Sequence, residues 1–235
     1  MRINGFQKTT LLDFPGKVAC TVFTAGCNFR CPFCHNASLV LHPKESECIP
    51  EEEILAQLAK RKKLLDGVCV TGGEPLLQPD LPFFLEKIKS LGLLVKLDTN
   101  GSNPERLKAL IDQKLIDAVA MDIKNCREKY ALTCGAEINL AAVEQSVQLL
   151  LSSKLPYYEF RTTVVREIHT KEDLEQIAKW IDGAKHYFLQ GFQDSGDLIS
   201  DGCSAYSAEE MNRLLHSVKR YLPITKLRGI DSDNN

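Results

Sequence analysis

Val18-Ala19-Cys20-Thr21-Val22-Phe23-Thr24-Ala25-Gly26-Cys27-Asn28-Phe29-Arg30-Cys31-Pro32-Phe33-Cys34-His35-Asn36 is the stretch on which the fold and the chemistry of this chain turn. Val18 to Thr24 is rich in β-branched residues and phenylalanine and reads as a strand. The residues after it form a loop with three cysteines spaced C-x3-C-x2-C. A strand running directly into a chemically loaded loop is the first half of a β–α unit, whose functional groups sit at the strand's C-terminal end.

The same alternation continues outward from this stretch. Pro50-Glu51-Glu52-Glu53 opens a helix to about Lys63, with proline and acidic residues suited to a helix start. Ile54, Leu55 and Leu58 give that helix an apolar face at helical spacing. Val68 to Thr71 is a second strand, with a helix from Leu81 to Leu91 closed by Gly92. Leu93 to Asp98 and Ala118 to Ile123 are the next strands, with helices over Pro104 to Gln113 and Leu140 to Leu151. Tyr158 to Val165 and His186 to Gln190 complete the strands, with helices over Lys171 to Ile181 and Ser207 to Tyr221.

Six β–α units in series imply right-handed crossovers and a parallel sheet in an α/β fold. Six falls short of the eight units of a closed barrel, which predicts an open, partial (β/α)6 barrel of the TIM type. A flat, doubly wound sheet is the other arrangement with this number of units. Residues 1–235 show no domain boundary, internal repeat or low-complexity tract. They read as a single domain with a lead-in over 1–16 and a short disordered tail over 231–235.

With 235 residues, 44% of them hydrophobic, the chain can bury a sizeable core. A net charge of -2 offers no attraction for nucleic acid or for an anionic membrane. Met1-Arg2-Ile3-Asn4-Gly5-Phe6 has no apolar signal core, and no apolar run approaches the ~20 residues of a membrane-spanning helix. A cytoplasmic protein is expected. There are nine cysteines, and those outside the triplet (Cys20, Cys48, Cys69, Cys126, Cys134, Cys203) are scattered, unlike a secreted disulfide framework. Cys20 and Cys69 lie in strand-like runs and are expected to be core thiols. Cys126 and Cys134 are close enough in sequence to pair or to share a metal, and no second CxxC set follows.

Three close thiolates can hold three irons of a [4Fe–4S] cluster, which normally takes four protein ligands, so one iron is left open for a substrate or cofactor. The same residues with His35 could instead form a Cys3His zinc site, although adjacent Cys34 and His35 close a tetrahedron awkwardly. Unrelated reduced thiols are the remaining reading. Further unusual residues fall at strand ends. Thr71-Gly72-Gly73-Glu74-Pro75 offers backbone that can approach a ligand closely, beside a carboxylate that can accept from an ammonium. A plain turn would use the same residues. Asp98-Thr99-Asn100-Gly101 follows the third strand, where an Asx-type turn is the simpler explanation. Met121-Asp122-Ile123-Lys124 puts two charges where a parallel strand should be apolar, unless they form a solvated pair at the loop edge. Arg161 lies inside a strand, where a guanidinium is rarely buried unpaired. Gln190 and Gln193 are polar candidates near the last strand.

Taken together, the cysteine loop and the Gly-Gly-Glu-Pro segment resemble the radical S-adenosylmethionine (SAM) enzymes. The resemblance implies that Cys27, Cys31 and Cys34 are the metal ligands and the catalytic centre, holding one [4Fe–4S] cluster whose open iron chelates SAM. It implies that Gly72, Gly73 and Glu74 bind the SAM amino group, partly through backbone, and that Phe33 lies near the adenine. His35 is then a contact behind the ligands or to adenosine. Asp98, Thr99, Asn100, Asp122 and Lys124 become candidates for ribose, carboxylate or cation contacts, and Arg161 for the SAM carboxylate. Asp98 and Asp122 beside a bound carboxylate would repel it unless a cation intervenes or one of them takes up a proton, its pKa raised by the like charges. A monovalent cation between Asp98, Asp122 and SAM is therefore a further expected cofactor.

The lead-in Lys8-Thr9-Thr10-Leu11-Leu12-Asp13-Phe14-Pro15-Gly16-Lys17 and the closing Cys34-His35-Asn36 are similar to the activating proteins of anaerobic ribonucleoside-triphosphate reductase. Pyruvate formate-lyase activases share the C-H-N and D-T-N-G elements. The resemblance covers the whole chain. It implies an oxidoreductase that takes an electron from flavodoxin or ferredoxin, cleaves SAM to methionine and a 5′-deoxyadenosyl radical, and removes the α-hydrogen of one glycine in the partner reductase. No side-chain general base is required. The alternatives are an activase of another glycyl-radical enzyme, a radical SAM enzyme acting on a small molecule, and an electron carrier or interaction module. The segment Asn125-Cys126 to Cys134-Gly135 departs from the motif set and has no assigned part.

Overall fold

All six β–α units form, in a computed structural model that describes residues 1–43, 45 and 47–230. The expected tail, 231–235, lies outside the described residues. Eight strands make one sheet in chain order: β1 (Ile3–Thr10), β2 (Ala19–Thr24), β3 (Gly67–Gly72), β4 (Leu94–Thr99), β5 (Ala118–Asp122), β6 (Tyr157–Val164), β7 (Tyr187–Gly191) and β8 (Lys226–Arg228). β1 is antiparallel to β2, and every later pair is parallel. The order never reverses, so there is no topological switch point and the doubly wound alternative is excluded. Among the described residues no ladder joins β1 to β8, so the barrel stays open along that seam.

The helices are α1 (Ala37–Leu41), α2 (Glu51–Arg61), α3 (Leu81–Ser90), α4 (Pro104–Asp112), α5 (Tyr130–Cys134), α6 (Leu140–Leu151), α7 (Lys171–Trp180) and α8 (Ala208–Lys219). Their starts follow from local chemistry. Asn103 and Asn139 cap α4 and α6 through their side chains, and Thr170 with Asp173 and Ser207 with Glu210 form capping boxes on α7 and α8. None of the described helices is long and apolar enough to cross a membrane.

Strand alternation sorts side chains between two environments. Val68 and Val70 of β3, Val95 and Leu97 of β4, and Val119 and Met121 of β5 join Ile54, Leu58, Phe84 and Ile88 of the helices in one core. The intervening residues Cys69, Lys96, Asp98, Asp122, Glu159 and Arg161 share the opposite register, and inside the barrel the first four and Arg161 meet one another while Glu159 meets Arg228. The helix-facing core thus holds the fold, and the barrel interior is free to be polar.

The observed elements differ from the sequence expectation in four additions. Part of the lead-in is β1, an edge strand whose Ile3-Asn4-Gly5-Phe6-Gln7-Lys8-Thr9-Thr10 lacks a clean apolar alternation because much of it is solvent-exposed. β8 has three residues and α1 and α5 five each, too short for a periodic signal.

Candidate active site

The C-terminal ends of the parallel strands open into one cavity of about 730 Å³, within the ~300–1,000 Å³ typical of small-molecule sites. Cys27, Cys31, Phe33, Cys34 and His35 of the loop after β2 line it, with Gly72 and Gly73 after β3. Asp98, Thr99, Asn100, Asp122, Lys124, Arg161, Gln190 and Gln193 complete the set supplied by the later strands. Glu74 alone among the expected residues does not line it. Asp98 and Thr99 belong to β4 itself rather than to the loop after it.

Backbone contacts lock the first loops together. Gly73 N donates to Thr24 O and Glu74 N donates to Gly26 O, both at 2.8 Å. The two glycines are needed for this approach. Gly72 has φ 115°, and a Cβ on Gly73 would stand 2.0 Å from Gly26 O. The close approach expected between these glycines and a ligand is therefore, in the first place, an approach to the backbone just before Cys27. Gly73→Ala should push that backbone aside, with ~1–3 kcal/mol lost as in overpacked cores. Urea denaturation and iron analysis after reconstitution would read both consequences.

Glu74 ties the β3 loop to the β4 loop. Its Oε1 accepts from Leu76 N at 3.1 Å and Thr99 Oγ1 at 2.8 Å, and its Oε2 accepts from Asn100 N at 2.7 Å. Burial pushes its pKa up to about 7 although all three donors favour the charged form. The folded state thus holds this proton more tightly than the unfolded chain. The contribution to stability is full below about 4.5 and is lost as pH rises through about 7. The unfolding free energy should fall across this window by at most about 1.4 kcal/mol per pH unit from this group. Urea midpoints measured through the window should flatten in Glu74→Gln.

The cysteine loop offers its sulfurs a few donors and one nearby cation, set against the cost of burial. Cys27 Sγ accepts from Phe29 N at 3.4 Å and from Asn100 Nδ2 at 3.8 Å. Asn100 Nδ2 also donates to Asn28 Oδ1 at 2.9 Å. Burial pushes the Cys27 thiol up to about 11 and raises that of Cys34, while a hydrogen bond from the Cys134 thiol is the main cause holding Cys31 down. The Lys124 ammonium favours the thiolate at all three. Thiolates are the ligating form, so Cys27 and Cys34 would release their protons only when a cationic metal group binds. Among the described residues, no three His, Cys, Asp or Glu side chains converge as the ligands of one ion do. A [4Fe–4S] cluster instead takes each thiolate on a separate iron. Cys27, Cys31 and Cys34 fit that demand, with the cavity beside them for the fourth iron's ligand.

An ionic chain crosses the barrel interior. Lys96 pairs with Asp98 Oδ1. Arg161 Nη1 donates to Asp98 Oδ2 at 3.0 Å, its Nε to Asp122 Oδ1 at 2.9 Å, and Lys124 Nζ to Asp122 Oδ2 at 3.0 Å. Proton uptake by one of these aspartates, the alternative to an intervening cation, is disfavoured. Burial would raise both, but Arg161 with Lys96 holds Asp98 below the ordinary carboxylate value, and Arg161 with Lys124 does the same for Asp122. Side-chain cations already separate the two carboxylates. Arg161 therefore makes the ion pairs that were the alternative to a direct ligand contact, while its side chain still borders the cavity.

Several participants escaped the sequence reading. Lys96 is two residues before Asp98 on one strand and so on the same face, a signal that was available. Arg228 of β8 forms a two-pronged pair with buried Glu159 at 2.7 and 2.8 Å and lines the cavity. His169 accepts from Val165 N at 3.1 Å and donates through Nε2 to the Lys124 carbonyl at 2.8 Å. Its ring also meets Phe33 edge-on at 6.1 Å. Nothing in the local sequence marks Arg228 or His169. Cys126 and Cys134 do not pair: all nine cysteines are free, and Cys126 Sγ donates to Asp173 Oδ1 at 3.4 Å.

Comparison with known proteins agrees with this geometry. The model of the radical SAM superfamily matches residues 21–181. A protein of Methanocaldococcus jannaschii, named provisionally as a glycyl-radical enzyme activating enzyme, is 32% identical over 97% of this chain and 96% of its own length. The pyruvate formate-lyase-activating enzyme of Clostridium pasteurianum is 33% identical over 53% of this chain and 52% of its own. Among solved structures, Streptococcus suis SuiB bound to S-adenosylmethionine superposes with a TM-score of 0.70 at 14% identity, over 88% of this chain and 49% of SuiB, and so shares the fold. The chain belongs to the radical SAM superfamily and, within it, to the family of glycyl-radical enzyme activating enzymes.

Proposed function

We propose that this protein installs the glycyl radical of anaerobic ribonucleoside-triphosphate reductase. The observation that carries the reading is the loop of Cys27, Cys31 and Cys34 opening onto a cavity whose wall mixes polar and aromatic side chains. When bound, a [4Fe–4S] cluster and SAM supply the chemistry: one electron cleaves SAM to methionine and a 5′-deoxyadenosyl radical, which takes a glycine α-hydrogen. The chain's own residues hold and orient. Cys27, Cys31 and Cys34 are the cluster ligands, and Lys124 offsets their negative charge. Gly72 and Gly73 present backbone to the SAM amino group, while Glu74 acts from behind by fixing Thr99 and Asn100. Phe33 and His35 border the adenosine. Arg161, held by Asp98 and Asp122, presents its remaining edge to the SAM carboxylate, with Gln190 and Gln193 on the far wall. The charge of Asp98 and Asp122 that would repel the SAM carboxylate is already offset by Lys96, Arg161 and Lys124, so the reading does not require a monovalent cation between them and SAM.

A protein substrate requires an open approach. The cavity wall includes Gln7 of β1 and Arg228 of β8, the two edge strands that flank the open seam. A glycine-bearing loop of a partner can enter there. The Lys8 to Lys17 lead-in supports the reductase as that partner. The electron donor in this reading is flavodoxin or ferredoxin, and the nine free cysteines suit a reducing cytoplasm. Anaerobic electron paramagnetic resonance tests the proposal, with reconstituted protein, reductant, SAM and the cognate reductase in one tube and 5′-deoxyadenosine quantified in parallel. A SAM-dependent glycyl doublet is expected. Deoxyadenosine without a doublet would refute the reductase as target. The same mixture with pyruvate formate-lyase tests the second target, favoured by the clostridial relative.

A further inference from the structure

α1 closes the cysteine loop, yet it is too short to stand by itself. It has five residues, and an isolated helix below ~12–15 residues is marginal in water. Asn36 stands at its N-cap, but the Asn36 side chain caps no amide. The contacts that hold α1 come from elsewhere. Gly26 N donates to Leu39 O at 2.9 Å, so the helix reaches back to the backbone just before Cys27. Its first amides are met by Asp197, which lies 159 positions beyond Ser38. Ala37 N donates to Asp197 O at 3.2 Å. Ser38 N donates to Asp197 Oδ2 at 3.2 Å and to Oδ1 at 3.3 Å, and Ser38 Oγ donates to Oδ2 at 2.8 Å. A carboxylate suits this place, since it only accepts and it faces the positive end of the helix.

Asp197 belongs to the segment 192–206 between β7 and α8, and two further contacts bind that segment to the cysteine loop. Ser200 N donates to Pro32 O at 3.0 Å, and Ser195 Oγ donates to His35 O at 3.2 Å. The segment thus grips the loop on both sides of Cys34. Local bonds set the turn that carries Asp197: Asp197 N donates to Ser195 Oγ at 3.3 Å, and Gly196, at φ 76°, donates to Asp194 Oδ1 at 2.8 Å. The two partners of this grip are also neighbouring parts of the cavity wall. Gln193, Asp194 and Ser195 line it from one side, and His35, Asn36 and Val40 from the other. Asp197 itself does not line the cavity, so it acts through these segments and not on a ligand.

We propose that Asp197 is a positioning residue: it latches the 192–206 segment to α1 and so holds residues 193–195 and 35–40 together as one pre-formed wall of the SAM site. This rests on the reading of the cavity as a SAM site. A wall ordered in advance spares the ligand the cost of ordering it. Without the latch, α1 loses the acceptors of its first turn, and both segments must be ordered when SAM binds. The loss falls on binding, because the β3, β4 and β6 sides of the site do not depend on Asp197.

The test uses full-length, anaerobically reconstituted protein at equal iron content. Amide hydrogen exchange over residues 35–42 is measured without SAM. SAM affinity is measured by calorimetry, and the rate of 5′-deoxyadenosine formation at saturating SAM. Wild type, Asp197→Ala, Asp197→Asn and Ser38→Ala are compared, with Asp201→Ala as an exposed acid in the same segment. In Asp197→Ala, exchange should quicken and SAM affinity weaken by about fivefold each, the effect of losing roughly one net hydrogen bond. The saturated rate should stay within about twofold, because the loss is in binding. Asp197→Asn keeps an acceptor oxygen and should recover most of both, and Asp201→Ala should match wild type. Unchanged affinity in Asp197→Ala overturns the proposal, even if exchange quickens. So does a fall in the saturated rate as large as the fall in affinity. If Asp197→Ala does not fold, Ser38→Ala decides, since it removes the 2.8 Å bond from the helix side: weaker SAM binding there supports the latch, and wild-type binding overturns it. Wild-type protein that holds its cluster but binds no SAM would refute the reading of the site, and this inference with it, before any variant is compared.

Discussion

Alanine at Cys27, Cys31 or Cys34 takes SAM cleavage to background while the fold persists. Each thiolate is expected to hold a different iron, so no neighbour can substitute for the one removed. The loss should exceed the ~10–100-fold typical of changes behind a metal ligand, because here the ligand itself is gone. The fold should survive because these side chains sit on a loop beside the cavity rather than in a strand or helix. Removing one sulfur from buried Cys31 costs only about 1 kcal/mol as a small cavity. Iron and sulfide content, 5′-deoxyadenosine yield and circular dichroism on the same samples separate the two effects. Full turnover in any one variant would refute the cluster assignment.

Arg161→Met has the largest expected effect on stability, about 3–5 kcal/mol, the range for breaking a buried ion pair by removing one partner. Arg161 is 13% exposed and joins Asp98 to Asp122 across β4, β5 and β6. Its loss leaves two carboxylates facing each other with only Lys96 and Lys124 to hold them. The pH dependence carries the same signature. Both aspartates have folded pKa values below the ordinary value of 3.8. Their contribution is therefore present above about 3.8 and is lost as pH falls through the depressed folded values. Arg161→Met should shrink this acid-side loss, because the aspartates then titrate nearer their unfolded values. Urea midpoints at neutral pH and down an acid series test both claims. A loss under about 1 kcal/mol would mean that the pairs behave as exposed ones do.

How much of this was legible differs from residue to residue. The six β–α units could be read because each helix buries a periodic apolar stripe and each parallel strand is a short apolar run. β1 could not, because an exposed edge strand has no reason to alternate cleanly. Asp122, Lys124 and Arg161 drew notice as charges in or at the end of strands that should be apolar, and Asp98 as the start of a D-T-N-G turn. Their mutual pairing did not, since it joins residues up to 63 positions apart. Lys96 shows the limit most sharply. Its spacing from Asp98 placed both on one face, but only the folded sheet shows that face turned inward.

The sequence alone determined the type of chain and the chemistry it carries. Local periodicity needs only neighbours along the chain, and so does the spacing of Cys27, Cys31 and Cys34 on one loop. The tertiary structure decided everything that depends on distance across the barrel. It joined Asp98 and Asp122 into an ion-paired chain, because Lys96, Arg161 and Lys124 meet the aspartates only once the strands are side by side. It packed Gly73 tightly against the backbone of Gly26 while leaving it on the cavity wall. It also brought Cys134 against the backbone of Arg30, over a hundred positions away, where no pattern in the chain could place it. Electrostatics and hydrogen bonding act through space, so a linear reading can list the groups, while only the fold assigns their partners.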